Sequence, residues 1–267
     1  MLMKLGIHEL KASQVASIRL FSAGLVLLPF AYRALKEIPS NKIFLAVLSG
    51  LLGSFFPAFL FAIAQTKIDS SLAGILNALT PLFTIVIGVA FFKLKAGRNK
   101  WTGLVIGFIG LSLLPFAASK GISFNDFSYS FLILLATILY GVNVNMVGNY
   151  LKTVNSINIA SLAFVFLMIP SSIILYTTGY FDENFSDQTI IKATGASAVL
   201  GVMGTAVASI VFYILLKRAG ALFASTVTYG IPFVAIFWGL LDNETISILQ
   251  VGCLGIILLG VYLANRN

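Results

Sequence analysis

Apolar residues occur along the chain in nine long stretches separated by short polar connections. Most of these stretches are close to the ~20 residues that a helix needs to cross a bilayer. None shows the period-two alternation of a barrel strand, and a helix satisfies its own backbone in lipid. The sequence therefore predicts an all-α polytopic membrane protein with spans near 13–32, 43–65, 70–92, 101–118, 128–151, 157–178, 193–216, 221–241 and 247–264.

Part of this pattern is repeated at an offset of 151 residues. Between positions 50 and 88 the two copies align without a gap, and eight of the 39 aligned positions are identical. Matched glycine and proline at one offset predict structural repeats, with a site where the two halves meet. The matched glycines and prolines of the first copy, Gly50, Gly53, Pro81 and Gly88, recur as Gly201, Gly204, Pro232 and Gly239.

The two predicted repeats are unequal. We expect a single membrane domain, 1–267, with a first repeat over 1–120 and a second over 128–267. The spans up to 118 pair with those from 157 onward, and 128–151 has no partner, which gives four plus five helices. Inverted-topology repeats need an odd number of spans per half. The expectation is therefore a five-plus-five protein that lacks its first helix here, with a late start codon favoured over a genuine nine-span variant.

Composition agrees with a membrane protein, since 59% of residues are hydrophobic and 10% are charged. Soluble domains are nearer half apolar and a quarter charged. The single cysteine, Cys253, excludes a disulfide framework and argues against a thiolate metal site. No phosphate-binding glycine loop, His/Cys cluster or nucleophile–base pair is visible, so we expect no metal, no cofactor and no enzymatic activity.

The net charge of +8 is distributed unevenly between alternate connections. Eleven Lys and Arg residues fall on the side of the tail that contains Arg266, and five fall on the other side. Basic residues concentrate on the cytoplasmic side of membrane proteins. The charge therefore indicates orientation rather than nucleic-acid binding, and it predicts a multi-pass protein of the inner (plasma) membrane with a cytoplasmic C-terminus.

Four short motifs resemble the drug/metabolite transporter superfamily, EamA-like family. They are IRLF at 18–21, LTPLF at 79–83, YGIPF at 229–233 and DNETISILQ at 242–250. The resemblance implies ten helices, cytoplasmic termini and a pseudo-symmetric bundle that moves small metabolites. The chain departs from it by the absent first helix, by Leu94-Lys95 where the family often has Glu, and by Cys253 where Gly is usual.

The two matched prolines carry the clearest functional pattern. A proline has no N–H, so Pro81 and Pro232 deprive the carbonyls of Asn77 and Thr228 of their helical donor. Such a carbonyl is tolerated at membrane depth beside protein donors or a wet cavity. We predict both prolines as hinges and the polar residues around them as cavity lining, whereas the neighbouring glycines favour close helix packing.

Other polar residues recur at helical spacing in the second half. In span 128–151, Tyr140 and Asn143 lie at helical spacing with Asn145 nearby. These two amides and one phenol need polar surroundings, supplied by a cavity or by an interhelical hydrogen bond. The aromatic ring of Tyr229 is expected either to stack on a substrate or to pack in the core. The predicted substrate-binding residues are Asn77, Thr80, Tyr140, Asn143, Thr205, Ser209, Thr228 and Tyr229.

Charges inside the spans are scarce. Arg19 is the only one clearly within a span, and anchoring or pairing is favoured for it over binding of an anionic substrate. No span has Asp or Glu near its middle, which favours facilitated or substrate-driven exchange over a carboxylate proton relay.

These observations predict a secondary transporter that moves a small amphipathic metabolite, such as an amino acid or related compound, by alternating access. Export is one open direction, and a homodimer is an open alternative to a monomer. A nucleotide-sugar or phosphorylated-metabolite carrier would need several basic residues at depth. A lipid-modifying membrane enzyme would need a carboxylate or histidine cluster, and a non-transporting remnant is the last alternative.

Overall fold

The computed structural model describes residues 2–95, 97–117, 124–242, 244 and 246–266. Within these residues the regular secondary structure is entirely helical. Its α-helices are α1 (Leu2–Glu9), α2 (Ala12–Glu37), α3 (Ser40–Gly50), α4 (Phe56–Ala64), α5 (Ser70–Asn77), α6 (Thr80–Phe91), α7 (Arg98–Leu113), α8 (Phe124–Tyr150), α9 (Ser156–Thr177), α10 (Gln188–Gly201), α11 (Ala208–Thr226), α12 (Gly230–Leu241) and α13 (Ile248–Asn265).

The prediction of an all-α polytopic membrane protein is confirmed. Seven helical segments of the described chain are long and apolar enough to cross a membrane, and each coincides with a predicted span. The remaining two predicted spans, 101–118 and 247–264, correspond to the shorter helices α7 and α13. The seven segments are 12–37, 40–64, 70–91, 128–150, 156–177, 188–221 and 223–241.

The chain divides into two compact units that do not follow the order of the sequence. Unit 1 contains 1–66 and 146–218, and unit 2 contains 67–145 and 219–267. Each unit therefore takes segments from both predicted repeats. The chain passes from unit 1 to unit 2 within α11 near Gly220, whose φ of +86° interrupts the helix. A positive φ suits glycine because it has no Cβ.

In unit 1, α2 and α9 pack antiparallel along their length. At one end Lys11 Nζ donates to the carbonyl oxygen of Thr178 at 2.8 Å. Midway, a Cβ on Gly24 would overlap the side chain of Met168, so glycine allows this close approach. At the other end Asn158 Nδ2 donates to Glu37 Oε2 at 2.7 Å. The pair is thus anchored at both ends by polar contacts and joined between them by close packing.

Two α-helical segments of unit 1 are interrupted by π-helical turns at matching positions. The first π turn, Leu51–Phe55, joins α3 to α4, and the second π turn, Val202–Val207, joins α10 to α11. Their starting residues are separated by the repeat offset of 151. Gly50 and Gly201 precede the two turns, and a Cβ on either glycine would overlap a neighbouring helix. The sequence predicted uninterrupted helices at both places, whereas the structure has a π turn in each.

In unit 2, glycines bring α7 and α13 into backbone contact. A Cβ on Gly260 would overlap the backbone nitrogen of Gly107 and lie 2.6 Å from the carbonyl oxygen of Gly103. The helices α5 and α12 also pack together, and a Cβ on Gly74 would overlap Ala235 there. Small residues at such crossings let membrane helices approach closely. For Gly74, the packing interpretation of the sequence agrees with this geometry.

A glutamate in the loop after α12 caps the N-terminus of α5. Glu244 accepts hydrogen bonds from the backbone N–H groups of Ser70, at 2.9 Å, and Ser71, at 3.0 Å. A carboxylate satisfies unpaired N–H groups at a helix start and complements the helix dipole there. The repeat offset places Lys93 at the position equivalent to Glu244. The first half therefore lacks a carboxylate at the corresponding turn.

Candidate functional site

Both matched prolines directly follow an interruption of a helix. In the first half α5 ends at Asn77 and α6 begins at Thr80, just before Pro81. In the second half a 3₁₀ turn, Val227–Tyr229, precedes α12 and Pro232. Both prolines are buried. The structure thus interrupts the α-helix just before each proline. We call each interruption a kink, and the role of these kinks as hinges remains a prediction.

The carbonyl of Asn77, which Pro81 deprives of its helical donor, is satisfied by a neighbouring hydroxyl. Thr80 Oγ1 donates to Asn77 O at 2.8 Å and lies 3.3 Å from Asn77 Oδ1. Thr84 Oγ1 in turn donates to Thr80 O at 2.8 Å. All three polar side chains are buried. This stretch of unit 2 therefore contains consecutive hydroxyl-to-carbonyl hydrogen bonds. The Thr80 hydroxyl replaces the backbone N–H that Pro81 lacks.

A second amide ties α8 to α6. Asn145 Nδ2 donates to Thr84 O and to Gly141 O, both at 2.8 Å. A Cβ on Gly88 would lie 2.9 Å from Asn145 Oδ1, so the amide fits against a glycine of α6. The sequence singled out Asn145 as a polar residue without assigning this role. Its spacing of four from Gly141 was the only available signal, because such residues share a helix face.

Asn143 differs from Asn145 although it lies two residues away on the same helix. It is only 4% exposed, and its Oδ1 has no hydrogen-bond partner among the residues that the structure describes. An unsatisfied buried polar atom is unfavourable by roughly 1–3 kcal/mol. Positions i and i+2 do not share a helix face, so Asn143 is not on the face that Asn145 uses against α6. Tyr140, one turn earlier and half-buried, lies on the Asn143 side of the helix.

The two candidates in unit 1 lie at and just after the second π turn. Arg19 Nε donates to Thr205 Oγ1 at 2.5 Å, and Thr205 is 3% exposed. Ser209 lies one turn further along in α11 and is half-buried. The structure thus places Arg19 in a polar contact with another helix, which the sequence favoured over anion binding.

The remaining candidates lie around the second kink in unit 2. Thr228 is half-buried, and its hydroxyl donates to Ser225 O at 2.7 Å. The backbone of Tyr229 belongs to the 3₁₀ turn, while its side chain is outside the part of the chain that the structure describes. Unit 2 therefore contains Asn77, Thr80, Tyr140, Asn143, Thr228 and Tyr229, and unit 1 contains Thr205 and Ser209.

Two further features bear on possible chemistry. Among the described residues no group of three or more His, Cys, Asp or Glu side chains lies close enough to hold a metal ion. An apolar groove of about 500 Å³ in unit 2 is lined by residues of α6 and α7, including Trp101 and Phe108. None of the candidate substrate-binding residues lines this groove, so it is not the predicted site.

Known proteins provide an independent comparison. The family model of the EamA-like transporter family matches residues 1–115 and 127–266, which together cover most of the chain. The chain belongs to the EamA-like transporter family. This confirms the resemblance inferred from the four sequence motifs, and it identifies the protein as a membrane transporter.

Relatives that are similar over most of this EamA-like transporter are themselves named as transporters. The uncharacterized transporter YdfC of Bacillus subtilis is 26% identical over 236 residues, covering 86% of this chain and 74% of YdfC. The uncharacterized inner membrane transporter YedA of Escherichia coli K12 is 24% identical over 266 residues, covering 98% of this chain and 84% of YedA.

A third relative is similar over a shorter part of the EamA-like transporter. The S-adenosylmethionine uptake transporter of Rickettsia felis is 32% identical over 104 residues, which is 39% of this chain and 35% of that protein. A solved crystal structure also superimposes on the chain with a TM-score of 0.68 and 14% identity. The superposition covers 99% of this chain and 90% of the other, and it supports the fold alone.

Proposed function

We propose that this protein is a secondary transporter of the inner membrane that moves a small amphipathic metabolite, an amino acid or a related compound, by alternating access. The observation that carries the proposal is Asn143. Its amide oxygen is buried in a long apolar helix without a hydrogen-bond partner in the described chain. Polar groups at membrane depth that lack a structural partner mark substrate pathways.

The substrate-binding residues in this proposal are neutral. Amides, hydroxyls and phenols line the site, and Pro81 and Pro232 let the helices bend as the site opens to alternate sides. A neutral lining suits a solute with a few polar groups and an apolar part. The proposed set is Asn77, Thr80, Tyr140, Asn143, Thr205, Ser209, Thr228 and Tyr229.

The names of the relatives support the proposed substrate class and the proposed location in the inner membrane. S-adenosylmethionine, named for the Rickettsia relative, is an amino-acid derivative, and YedA is named as an inner membrane transporter. The excess of Lys and Arg on one side of the spans supports a cytoplasmic C-terminus. These names belong to the relatives, and they guide the choice of solutes for a direct test.

Counterflow into proteoliposomes tests the proposal. Purified protein is reconstituted, vesicles are loaded with one unlabelled solute, and entry of the same labelled solute is followed against protein-free liposomes. The panel contains the protein amino acids, S-adenosylmethionine, one nucleotide sugar and one sugar phosphate. We expect transient accumulation of at least one amino acid or of S-adenosylmethionine. Exchange of the nucleotide sugar or sugar phosphate alone, or of no solute in the panel, contradicts the proposal.

A further inference from the structure

The first π turn is followed by a proline, which removes one backbone hydrogen-bond donor. Its closing bond runs from Phe56 N to Leu51 O, the spacing of five that defines a π turn. The next residue, Pro57, has no N–H to donate. A bond from residue 57 would serve Gly53 O in α-helical register or Leu52 O in π register. In either register, the proline removes the usual donor of one carbonyl oxygen within two residues of Ser54.

Ser54 adds a hydroxyl to this turn. The residue is 8% exposed, and its Oγ makes no hydrogen bond within the described chain. Serines in membrane helices commonly bond a carbonyl one turn back, and Ser49 in the preceding α3 does so, donating to Ala46 O at 2.7 Å. The Ser54 hydroxyl thus lacks the local carbonyl partner that the Ser49 hydroxyl has.

At the second π turn, the equivalent hydroxyl and the equivalent backbone carbonyl both have hydrogen-bond donors. Thr205 is the repeat equivalent of Ser54, and its hydroxyl accepts from Arg19 Nε. Ala208, the equivalent of Pro57, donates its N–H to Met203 O. The second π turn therefore has both donors that the first one lacks. The helix α2, which carries Arg19, contacts both the second π turn and α4 of unit 1.

We propose that the first π turn binds the primary ammonium group of the transported solute. Ser54 Oγ and the carbonyl oxygen left without a donor by Pro57 would accept its hydrogen bonds. An ammonium group has three donors and no acceptor, which matches a hydroxyl and a carbonyl that has lost its usual backbone donor. π turns recur at functional sites in helices. This inference rests on the proposed function and assigns one polar end of the amino-acid-like substrate.

Competition by N-acetylated solutes tests the assignment. For each amino acid exchanged by the wild type, the free compound and its N-acetyl derivative compete for labelled counterflow. We expect the wild type to prefer the free compound by about tenfold or more, as one charge-assisted hydrogen bond allows. The variant Ser54→Ala should lower this preference to about threefold or less. Ser54→Thr should keep it, because threonine occupies the equivalent position 205.

Two further variants separate this role from a general effect on folding. Ser49→Ala removes a buried serine hydroxyl of the same span that already has a partner. This variant should therefore prefer the free over the N-acetylated solute as strongly as the wild type does. Pro57→Ala restores an N–H and should lower the preference without touching Ser54. An unchanged preference in both Ser54→Ala and Pro57→Ala overturns the assignment. A failure of the proposed function is distinct, because the wild type would then exchange neither an amino acid nor S-adenosylmethionine.

Discussion

Replacing Gly260 with leucine should lower the free energy of unfolding by about 3 kcal/mol, near the upper end of overpacking effects. The reason is that a Cβ at this position overlaps backbone atoms of α7, including the nitrogen of Gly107. A flexible side chain can rotate away from a clash, but a helix backbone can relieve it only by moving as a whole. Unfolding in detergent, followed by circular dichroism under increasing denaturant, measures the effect.

Gly255 provides a matched control in the same helix. A Cβ there would meet no atom within 4 Å, and the residue is exposed. Gly255→Leu should therefore unfold within about 0.5 kcal/mol of the wild type, as surface substitutions usually do. Equal destabilisation by the two variants would show that the α7–α13 contact does not depend on glycine at position 260.

A second large effect concerns Thr80 and Pro81. Thr80→Val removes the hydroxyl that satisfies Asn77 O, so a buried carbonyl is left without its replacement donor. We expect a loss of stability of about 2 kcal/mol, within the range for an unsatisfied buried group. In the Pro81→Ala background the same change should have a much smaller effect. Residue 81 then has an N–H that can bond Asn77 O in the ordinary helical way.

The four proteins of this double-mutant cycle can be compared by denaturant unfolding under identical conditions. Contacting residues that share a hydrogen-bond acceptor should show a coupling energy of about 1 kcal/mol or more. Simple additivity, within about 0.3 kcal/mol, would mean that Thr80 does not replace the donor lost at the proline. The cycle thus tests the kink directly, without reference to any substrate.

Much of the fold could be predicted from the sequence because lipid imposes simple rules. Apolar length located the spans, and the matched prolines located two helix interruptions within a few residues. The family followed from short motifs such as LTPLF, whose proline and its neighbours shape the first kink. These features depend on local chemistry, on hydrophobicity and on the missing N–H of proline, so they are visible without knowledge of packing.

Other features depend on contacts between distant segments and were missed. The π turns carry no periodic signal of their own, although Gly50 and Gly201 stand just before them. Asn145 satisfies carbonyls of two helices, a role set by the approach of α8 to α6. Glu244 was visible within a motif, but its hydrogen bonds to the start of α5 required the folded chain. In each case the feature depends on a segment that is distant in the sequence, so a local sequence pattern does not reveal it.

The division into two compact units also changes how the candidate site is understood. Six of the eight predicted substrate-binding residues belong to unit 2, where Asn77 and Thr80 are already engaged with each other. Asn143 is the candidate whose buried polar atom has no structural use within the described chain. It therefore carries the functional proposal more strongly than the other residues do.

Asn143 is proposed to bind the transported solute, and exchange by its alanine variant measures this role. Counterflow of the best-exchanged amino acid, or of S-adenosylmethionine, is measured for wild type, Asn143→Ala and the control Asn149→Ala. The control removes an exposed amide of the same helix. We predict a decrease of about tenfold or more for Asn143→Ala, as loss of a buried hydrogen bond to substrate allows. Its stability should be unchanged or higher, because an unsatisfied buried group is removed, and Asn149→Ala should retain wild-type exchange. Wild-type exchange by Asn143→Ala at every solute concentration would show that Asn143 does not bind the transported solute.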